Sequence, residues 1–443
     1  MAENANMTDA QKTRRMLFAA VLVGFAVRVL VVAFTIGPFL EPDQTQYAFG
    51  LEGGRIAAAI ARGEGFSNPL PIPTGPSAWR APVYPYLMAG FFKVFGIHTL
   101  AAAIPMYALN CLLAAITAIP LFHLGRISFD ERVGRWAAWS WAFFPFSIVN
   151  STQKIFDTAL AALLVAWLVL DTLRMRDETR TSRWILHGLL WGFAILTHTG
   201  VLLVLPFWWG WLLWYRLGGR LKLAPTLFAH TKLFLIGGIA LLLSVAPWMV
   251  RNFLVFGKFV PFRSNLALEL YVGNRPGMVE YRSEKGHPTS DPAAARRMQQ
   301  LGEVPFMEEK KQEFLQFVKQ YPSEFVARSV RRFFHYWTSA WDLRPSSLAA
   351  KPFETANIPF STLVSLLGLM GLWQVWKRDR MMALPYALFL AVYPLVFYAT
   401  HVSYRYRHPV DPLLVVLAAA AVAAWKNKPQ RDLAATSGQR IAA

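Results

Sequence analysis

Hydrophobic residues in this chain are gathered into long runs separated by short polar stretches. The first run, from about Met16 to Ile36, has roughly the 20 apolar residues that a helix needs to cross a bilayer. Nine further runs lie near residues 100–124, 133–150, 154–173, 184–198, 199–216, 233–250, 360–376, 383–400 and 409–425. The pattern predicts an all-α polytopic membrane protein with about ten spanning helices. For 184–216 the alternative is one long tilted helix in place of two.

Arginine and lysine between these runs indicate which side of the membrane each link faces. Cytoplasmic links collect Lys and Arg. These residues are dense at 125–132, 174–183, 216–232 and 377–382, whereas the short links at 151–154 and 198–199 are nearly free of charge. Because consecutive spans alternate sides, both termini are predicted to be cytoplasmic, with a tail at 426–443.

Residues 37–99 are predicted to be a first outer loop within an N-terminal transmembrane module, 1–250. In 46–62, apolar residues alternate with charged ones, which is typical of a helix lying in the membrane interface. Residues 82–97 are apolar but short and contain two prolines. They are predicted to form a juxtamembrane or re-entrant helix.

A second segment that does not cross the membrane, 251–359, is polar and rich in interspersed charges. Long loops cross the membrane regardless of their charge, so this segment is predicted to be a small outward-facing domain. It contains a plausible amphipathic helix near Glu308–Lys319. The C-terminal transmembrane helices follow at 360–425.

Composition supports a membrane protein and narrows the function. Of 443 residues, 55% are hydrophobic and only 16% are charged, fewer charges than soluble chains carry, and 14% are aromatic, more than disordered chains carry. The net charge of +19 is explained by cytoplasmic loops and anionic lipids, so no nucleic-acid partner is inferred. The single cysteine, Cys111, excludes an intrachain disulfide. No Walker or Rossmann motif is present, which argues against a nucleotide-sugar donor.

Charged residues at the predicted outer surface are the candidates for chemistry. Glu41 and Asp43 directly follow the first span, where an acid on its own is typical of a solvated flank. The predicted topology also brings five cations to this surface, and any one of them could simply reach for lipid headgroups. These cations are Arg80, Lys154, Arg251, Arg405 and Arg407. Because arginine can grip a phosphate with two hydrogen bonds, their convergence favours a phosphate site.

The order of motifs along the chain is more informative than any single residue. Glu41-Pro42-Asp43 is followed by Tyr47, Arg62-Gly63-Glu64-Gly65-Phe66 and Trp79-Arg80-Ala81-Pro82-Val83-Tyr84-Pro85, and later by Ser151–Leu160, Ala246–Asn252, Val255–Pro261, Gly273–Pro276 and Ser403–Pro412. This order resembles the polyprenyl-phosphate-dependent glycosyltransferases of the GT-C fold, specifically glycosyltransferase family 39, which contains the protein O-mannosyltransferases and the lipid A aminoarabinose transferase. The chain departs from the family pattern in having Glu-Pro-Asp in place of Asp-Glu, and in its short outer segment.

The resemblance implies a membrane enzyme that transfers a sugar, with inversion, from a polyprenyl-phosphate donor to an outward-facing lipid, glycan or protein. The attack on the sugar requires removal of the acceptor's proton, for which Asp43 is the expected general base and Glu41 the reserve. Negative charge develops on the leaving phosphate. Its expected ligands are Arg80 and Arg405, followed by Arg251 and Lys154.

Further expectations concern the substrate, cofactors and location. The other expected substrate contacts are Tyr47, Tyr84, Asn274, Tyr404 and Arg407. No cofactor is expected unless Glu41 and Asp43 form an acid-x-acid site for Mg²⁺ or Mn²⁺. The expected location is a bacterial inner membrane, with the active site on the periplasmic face and membrane lipids around the spans.

Two other functions are compatible with the hydrophobic pattern. A transporter or lipid flippase would need ionisable residues facing inward in the middle of the membrane, and Arg28 and Asp157 are the chief candidates. A non-catalytic assembly partner would differ from an enzyme in one respect, because replacing Asp43 would then change no enzymatic activity. Polar residues crowd at one membrane face, which favours an enzyme at the interface.

Overall fold

The computed structural model describes residues 8–36, 49–218, 225–276, 286–339, 341 and 357–425, with backbone only for 225–230. Within these ranges the chain is helical, and its only extended pairing is an isolated bridge between Ser67 and Pro76. The all-α fold class predicted from the hydrophobic pattern is confirmed.

The α-helices follow one another through mostly short links. In chain order they are α1 (Asp9–Thr35), α2 (Glu52–Ala61), α3 (Val83–Phe95), α4 (Leu100–Ile116), α5 (Ala118–Ser128), α6 (Glu131–Ala142), α7 (Pro145–Thr152), α8 (Thr158–Arg174), α9 (Thr181–Thr197), α10 (Leu205–Arg216), α11 (Pro225–Phe256), α12 (Leu266–Asn274), α13 (Pro292–Leu301), α14 (Glu303–Gln320), α15 (Pro322–Thr338), α16 (Ile358–Arg378), α17 (Arg380–Val392), α18 (Leu395–Ala399), α19 (Tyr404–Arg407) and α20 (411–425). Short 3₁₀ turns cover Met175–Asp177, Thr199–Leu203 and His408–Val410.

Seven helical stretches in the described ranges are long and apolar enough to cross a membrane. They are Asp9–Thr35, Leu100–Ser128, Thr158–Asp177, Thr231–Phe256, Ile358–Arg378, Arg380–Ala399 and Tyr404–Trp425. Each coincides with a run predicted from the sequence. The three other predicted spans fall on α6 with α7, on α9 and on α10, and each of these helices has 17 residues or fewer. The count of ten spans therefore stays a prediction.

Two breaks in the backbone explain why these helices are short. Pro145 begins α7 after a turn at Phe143 and Phe144, so the predicted span at 133–150 is two helices. At His198 the backbone leaves the helical region, with φ −142° and ψ 89°, and a 3₁₀ turn precedes α10. Residues 184–216 are therefore not the single long helix considered as an alternative.

Arg28 is fully buried in α1, and its contacts explain how a cation is tolerated there. The break after α6 leaves the carbonyls of Trp141 and Ala142 at a helix end, where carbonyls lack helical partners. Arg28 Nη1 donates to the oxygens of Ala142 (3.0 Å) and Gly24 (2.7 Å), and Nη2 to those of Trp141 (3.1 Å) and the Ser147 hydroxyl (2.8 Å). Because both terminal nitrogens are bound in this way, Arg28 joins helices.

Gly188 and Gly192 allow α9 to pack closely against α11. A Cβ atom at Gly188 would collide with the carbonyl oxygen of Gly237, and one at Gly192 with the hydroxyl of Ser244. This is the Gly-x-x-x-Gly spacing through which small residues bring membrane helices together. The shorter helix α9 is therefore fixed against a helix that is long enough to span the membrane.

The first loop packs on helices of the later polar segment. A second apolar cluster, separate from the core between the long helices, contains Ile56, Phe66 and Trp79 from the loop and Leu268 and Phe306 from α12 and α14. Burial of these side chains stabilises the contact between two parts of the chain that are about 200 residues apart. This contact positions residues 77–82 beside the ends of the long helices.

Glu303, the first residue of α14, fixes the stretch of the first loop that leads to Arg80. Its carboxylate accepts hydrogen bonds from Ser77 Oγ and Ala78 N, both at 2.6 Å, and from Ser264 Oγ at 2.7 Å. Burial raises the pKa of this carboxyl, and the three hydrogen bonds offset part of the increase. The loop is thus tied to the 251–359 segment directly beside Arg80.

The three helices predicted outside the spans are present. Residues 46–62 contain α2, residues 82–97 contain α3, and the helix predicted near Glu308–Lys319 lies within α14. Their placement relative to the membrane stays a prediction, as does the division of the chain at 250 and 359. Helix α11 itself runs through residue 250 and ends at Phe256.

Candidate active site

A pocket lies where the first loop meets the start of α3, the start of α8 and the end of α9. Its wall is formed by Gly50, Gly53, Arg80, Ala81, Tyr84, Pro85, Met88, Ile155, Phe156, Asp157, Thr197 and Arg263. Apolar walls with a few convergent charged groups are typical of small-molecule sites. This pocket is therefore the candidate active site.

Phe156 brings together two of the predicted phosphate ligands. The guanidinium carbon of Arg405 lies 4.3 Å from the centroid of the Phe156 ring, and that of Arg80 lies 6.0 Å from the same centroid. Cation–π attraction to the ring favours both positions. Two arginines more than 300 residues apart in the sequence thus lie against one side chain of the pocket.

Glu52 is the ion-pair partner of Arg80, with 2.9 Å between Arg80 Nη2 and Glu52 Oε2. Burial alone would raise the pKa of Glu52, but the positive charge of Arg80, together with other nearby charge and the hydrogen bonds to the carboxylate, outweighs burial and lowers the pKa to about 2. The pair therefore stays charged at neutral pH. Its stabilisation is lost only as the pH falls from the ordinary pKa of 4.5 towards about 2.

Both arginines keep hydrogen-bond donors for a ligand. Arg80 Nε is buried and has no hydrogen-bond partner among the described residues. Arg405 contacts the rings of Phe156 and Tyr406 but makes no hydrogen bond within the described ranges. Buried polar groups normally have partners, and guanidinium donors pair best with carboxylates and phosphates. The geometry suits an anionic ligand beside Phe156.

Asp157 is the carboxylate of the pocket, and it is held by a chain of hydrogen bonds. His198 Nδ1 lies 3.1 Å from Asp157 Oδ2, and His198 Nε2 lies 2.8 Å from the hydroxyl of Tyr393. Burial would raise the pKa of Asp157, but the hydrogen bond from His198 and the nearby positive charges lower it to about 2. An ionised Asp157 accepts from Nδ1–H of His198, which turns Nε2 of the ring towards the hydroxyl of Tyr393. The chain orients one carboxylate oxygen and leaves the other without a partner among the described residues.

A second acid, Glu269 on α12, lies close to these groups. Its Oε2 atom is 3.5 Å from His401 Nδ1, and its Oε1 atom accepts from Asn265 Nδ2 at 2.9 Å. His401 Nε2 is in turn 3.2 Å from the hydroxyl of Tyr406, the neighbour of Arg405. The segment that carries Arg405 is thereby linked to the polar segment.

Sequence reasoning missed several of these residues as site residues. Glu52, His198, Arg263, Glu269 and Tyr393 come from four separate parts of the chain, and none belongs to a local motif that points to a site. Asp157 lies within Ser151–Leu160, one of the motifs of the resemblance, but the sequence named it only as a candidate residue of a transporter. Their proximity is a consequence of helix packing.

Arg251 is brought near the first loop but is bound there by backbone groups. Its Nη1 donates to the oxygen of Ser77 at 2.6 Å, and its Nη2 donates to that of Phe66 at 2.8 Å. Its guanidinium carbon also lies 5.0 Å from the ring centroid of Trp248. Arg251 fixes the loop and is not part of the pocket wall.

Asn274 and Arg407 both lie away from the pocket wall. Asn274 is fully buried, and its amide nitrogen donates to the oxygens of Leu270 and Ala399, both at 2.8 Å. Arg407 is buried, and it donates to the oxygen of Trp337 at 3.1 Å. Neither residue lines the pocket, so we do not keep them among the residues proposed to contact substrate.

The remaining predicted residues have three different placements. Tyr84 lines the pocket, with its hydroxyl donating to Asn110 Oδ1 at 2.8 Å. Lys154 and Tyr404 are half-buried. Lys154 lies three residues before Asp157 in the sequence, and Tyr404 lies directly before Arg405. The other three, Glu41, Asp43 and Tyr47, lie outside the described residues.

A metal site depends on those same undescribed residues. Among the residues that the structure describes, no group of three or more His, Cys, Asp or Glu side chains is placed to hold a metal ion. Glu41 and Asp43, which the sequence suggests as a metal pair, lie outside the described residues.

Comparison with known proteins gives one sequence match and several matches of fold. Residues 79–250 match the family described as dolichyl-phosphate-mannose-protein mannosyltransferase. This stretch contains Arg80, Lys154, Phe156, Asp157 and His198. No curated protein sequence matches significantly.

The solved structures most like this chain include three of the oligosaccharyltransferase of Archaeoglobus fulgidus. The one tethered to an acceptor peptide matches with TM-score 0.54 and 13% identity, over 94% of this chain and 49% of that chain. The complex with Zn and sulfate matches with TM-score 0.52 and 12% identity, over 97% of this chain and 51% of that chain. The complex with an inhibitory peptide and a dolichol-phosphate matches with TM-score 0.50 and 13% identity, over 96% of this chain and 51% of that chain.

This chain thus spans about half the length of the oligosaccharyltransferase that it matches. At this level of identity the likeness shows the fold alone, and the sequence match covers the segment that contains most of the pocket. The chain therefore has the GT-C fold, and its residues 79–250 match the dolichyl-phosphate-mannose-protein mannosyltransferase family.

Proposed function

We propose that this protein is an integral membrane glycosyltransferase that moves a sugar from a polyprenyl-phosphate donor to an outward-facing acceptor. The observation that carries the proposal is the pair Arg80 and Arg405, which lie against Phe156 with donors that no described residue uses. The matched archaeal enzyme binds a dolichol-phosphate in one of its structures. A phosphate group on a lipid carrier is the ligand that this site fits best.

The proposed reaction is a single displacement at the anomeric carbon. A bond forms from the acceptor's nucleophilic atom to that carbon, and the bond from the carbon to the phosphate oxygen breaks, which inverts its configuration. The acceptor's proton passes to Asp43, and the electron pair leaves with the polyprenyl phosphate. Arg80 and Arg405 stabilise the negative charge that develops on the leaving phosphate. Asp157, oriented by His198, is the second carboxylate available to the sugar or the acceptor.

A divalent cation is the alternative role for the first-loop acids. Glu41 and Asp43 would bind Mg²⁺ or Mn²⁺ as an acid-x-acid pair, since carboxylate oxygens are the preferred ligands of these ions. Such an ion would supply positive charge near the reacting phosphate. One structure of the matched oligosaccharyltransferase contains Zn. This supports testing the present chain for dependence on a metal ion.

The proposed location is the inner membrane of a bacterium, with the pocket on the periplasmic face and both termini in the cytoplasm. The support is the distribution of Arg and Lys, which are dense at 125–132, 174–183 and 377–382. These links lie at the opposite ends of the helices from Arg80 and Asp157. Lipid-linked sugars presented at the periplasmic face would then reach the pocket from the membrane.

The test of the proposed function is direct transfer by purified protein in lipid nanodiscs. Polyprenyl-phosphate sugars with a radiolabelled sugar are offered together with lipid, glycan and peptide acceptors. We expect label on one acceptor class and release of polyprenyl phosphate in equal amount. Nucleotide sugars should give no product. If the protein moves a labelled lipid across liposomes and transfers no sugar, the flippase alternative replaces this proposal.

The proposed topology predicts that Ser290 and Thr179 face opposite sides of the membrane. Both are exposed in the structure, so a cysteine at either position is accessible to a reagent. In oriented cells, a membrane-impermeant maleimide should label Ser290→Cys from outside and Thr179→Cys only after permeabilisation. Native Cys111 is buried and should stay unlabelled. Labelling of both variants from the same side would contradict the proposed orientation.

A further inference from the structure

Helix α15 carries its apolar residues outwards and its cation inwards. Val326, Val330, Phe333 and Phe334 are 57%, 52%, 44% and 57% exposed. On the opposite side, Arg332 is buried. A helix on a water-exposed surface shows the reverse arrangement, with its apolar stripe against the core. The outer face of α15 therefore needs an apolar environment.

The buried side of α15 shows that this orientation is fixed. Arg332 Nη1 donates to Asn274 Oδ1 at 3.0 Å and to the oxygens of Ala399 at 3.1 Å and Tyr398 at 3.2 Å. Rotating the helix to bury its phenylalanines would leave this cation without these partners, which is costly. The exposed apolar face is a stable feature of the fold.

The position of α15 along the neighbouring candidate spans indicates how deep α15 lies in the membrane. Ser365 Oγ donates to the backbone oxygen of Trp337, near the end of α15, at 2.6 Å. Ser365 is seven residues beyond Ile358, the start of the candidate span α16, which is about 10 Å at 1.5 Å per residue. Arg407, inside the candidate span Tyr404–Trp425, also donates to Trp337 O. The C-terminal end of α15 is therefore level with residues inside two candidate spans.

Surrounding residues favour lipid over a protein partner as the occupant of this face. Leu363 and Leu366, on either side of Ser365 in α16, are more than half exposed and face the bilayer if α16 spans it. Exposed Tyr321 and Trp341 flank α15, and tyrosine and tryptophan are enriched at the headgroup level of membranes. Exposed Arg331 can reach lipid phosphates.

We propose that α15 lies in the membrane interface with Val326, Val330, Phe333 and Phe334 in contact with lipid acyl chains. The 251–359 segment is then not wholly outside the bilayer. The same helix supports the segment that carries Arg405, because Tyr336 donates from its hydroxyl to the oxygen of Tyr406 at 3.3 Å. Seating α15 in the interface sets the height of Arg405 close to the plane of lipid phosphates.

The test is depth-dependent fluorescence quenching, which needs no sugar transfer and so can fail independently of the proposed function. Val330→Cys and Phe334→Cys are each labelled with a small fluorophore, with native Cys111 left buried. Each protein is placed in nanodiscs whose lipids carry a nitroxide on the acyl chain. We expect both labels to lose most of their fluorescence to these lipids and little to aqueous iodide.

The matched control is Gln316→Cys on α14, an exposed position on the preceding helix. Its label should be quenched by iodide and not by the nitroxide lipids. If the α15 labels behave like this control, the helix faces water and the proposal is wrong. If they are protected from both quenchers, a second copy or another protein covers the face and the proposal is equally wrong.

Discussion

Replacing Asp43 by Asn should reduce turnover by about 10²-fold or more while the donor lipid still binds, because a general base typically contributes 10²- to 10⁴-fold. Asparagine keeps the size and hydrogen-bonding shape of aspartate but cannot accept the acceptor's proton. A loss of this kind should therefore appear in kcat, with donor affinity nearly unchanged. Single-turnover transfer and donor binding, both measured in nanodiscs, separate the two quantities.

Glu41→Gln is the matched control, since it removes a second carboxylate two residues away. Its effect should be milder if Glu41 is only a neighbour of the base. Equal and severe losses, together with activity that a chelator abolishes and Mg²⁺ or Mn²⁺ restores, would assign the pair to a metal site instead. Full transfer activity in Asp43→Asn would remove the general-base assignment altogether.

Arg405→Ala should weaken donor use by roughly ten- to a hundredfold, the usual effect of losing a hydrogen bond to a charged group. Arg405 makes ring contacts but no hydrogen bond within the described part of the chain, so its removal leaves no buried acid unpaired. Most of the loss should therefore come from the phosphate and not from instability. Transfer rates measured over a range of donor concentrations, with thermal unfolding of the same samples, give both values.

Arg80→Ala is expected to act through two effects. It removes a donor to the phosphate, and it leaves the carboxylate of Glu52 buried without its cation, which is strongly destabilising. The double variant Arg80→Ala with Glu52→Gln removes that unpaired charge. It should recover thermal stability without recovering donor use.

Two other arginines serve as controls for this prediction. Arg62 is exposed, pairs with Glu64 in the same loop, and should be replaceable by Ala with little effect. Arg251 donates to the carbonyls of Ser77 and Phe66, so Arg251→Ala should lower the unfolding temperature more than it alters the donor dependence. Equal and small effects at Arg62, Arg80 and Arg405 would mean that these arginines only anchor the protein to lipid.

The sequence by itself determined the class of the protein and much of its helical layout. The seven long apolar helices coincide with hydrophobic runs, because the length and polarity of a membrane span are local properties of the chain. The helices α2, α3 and α14 were predictable for the same reason. Arg80 and Arg405 could be named as candidates because the predicted topology brings them, with Lys154, Arg251 and Arg407, to one face of the membrane.

Only the tertiary structure decided which charged residues meet. Arg80, Arg251, Arg405 and Arg407 are alike in the sequence, yet two lie against Phe156 and two donate to backbone carbonyls elsewhere. His198 reaches Asp157 because α9 breaks at this residue. The break coincides with the boundary between the predicted runs 184–198 and 199–216, but the sequence does not show that it brings His198 to Asp157 and Tyr393.

The same distinction explains the residues whose predicted roles changed. Arg28 is an ionisable residue inside a span by its sequence, but the carbonyls left by the break after α6 make it a packing residue. Asn274 occurs in a motif of the resemblance, but its amide is used by α12 and α18. The hydrophobicity of a segment is a local property and can be predicted from the sequence. Hydrogen-bond partners depend on distances between segments, which are defined only once the helices have packed.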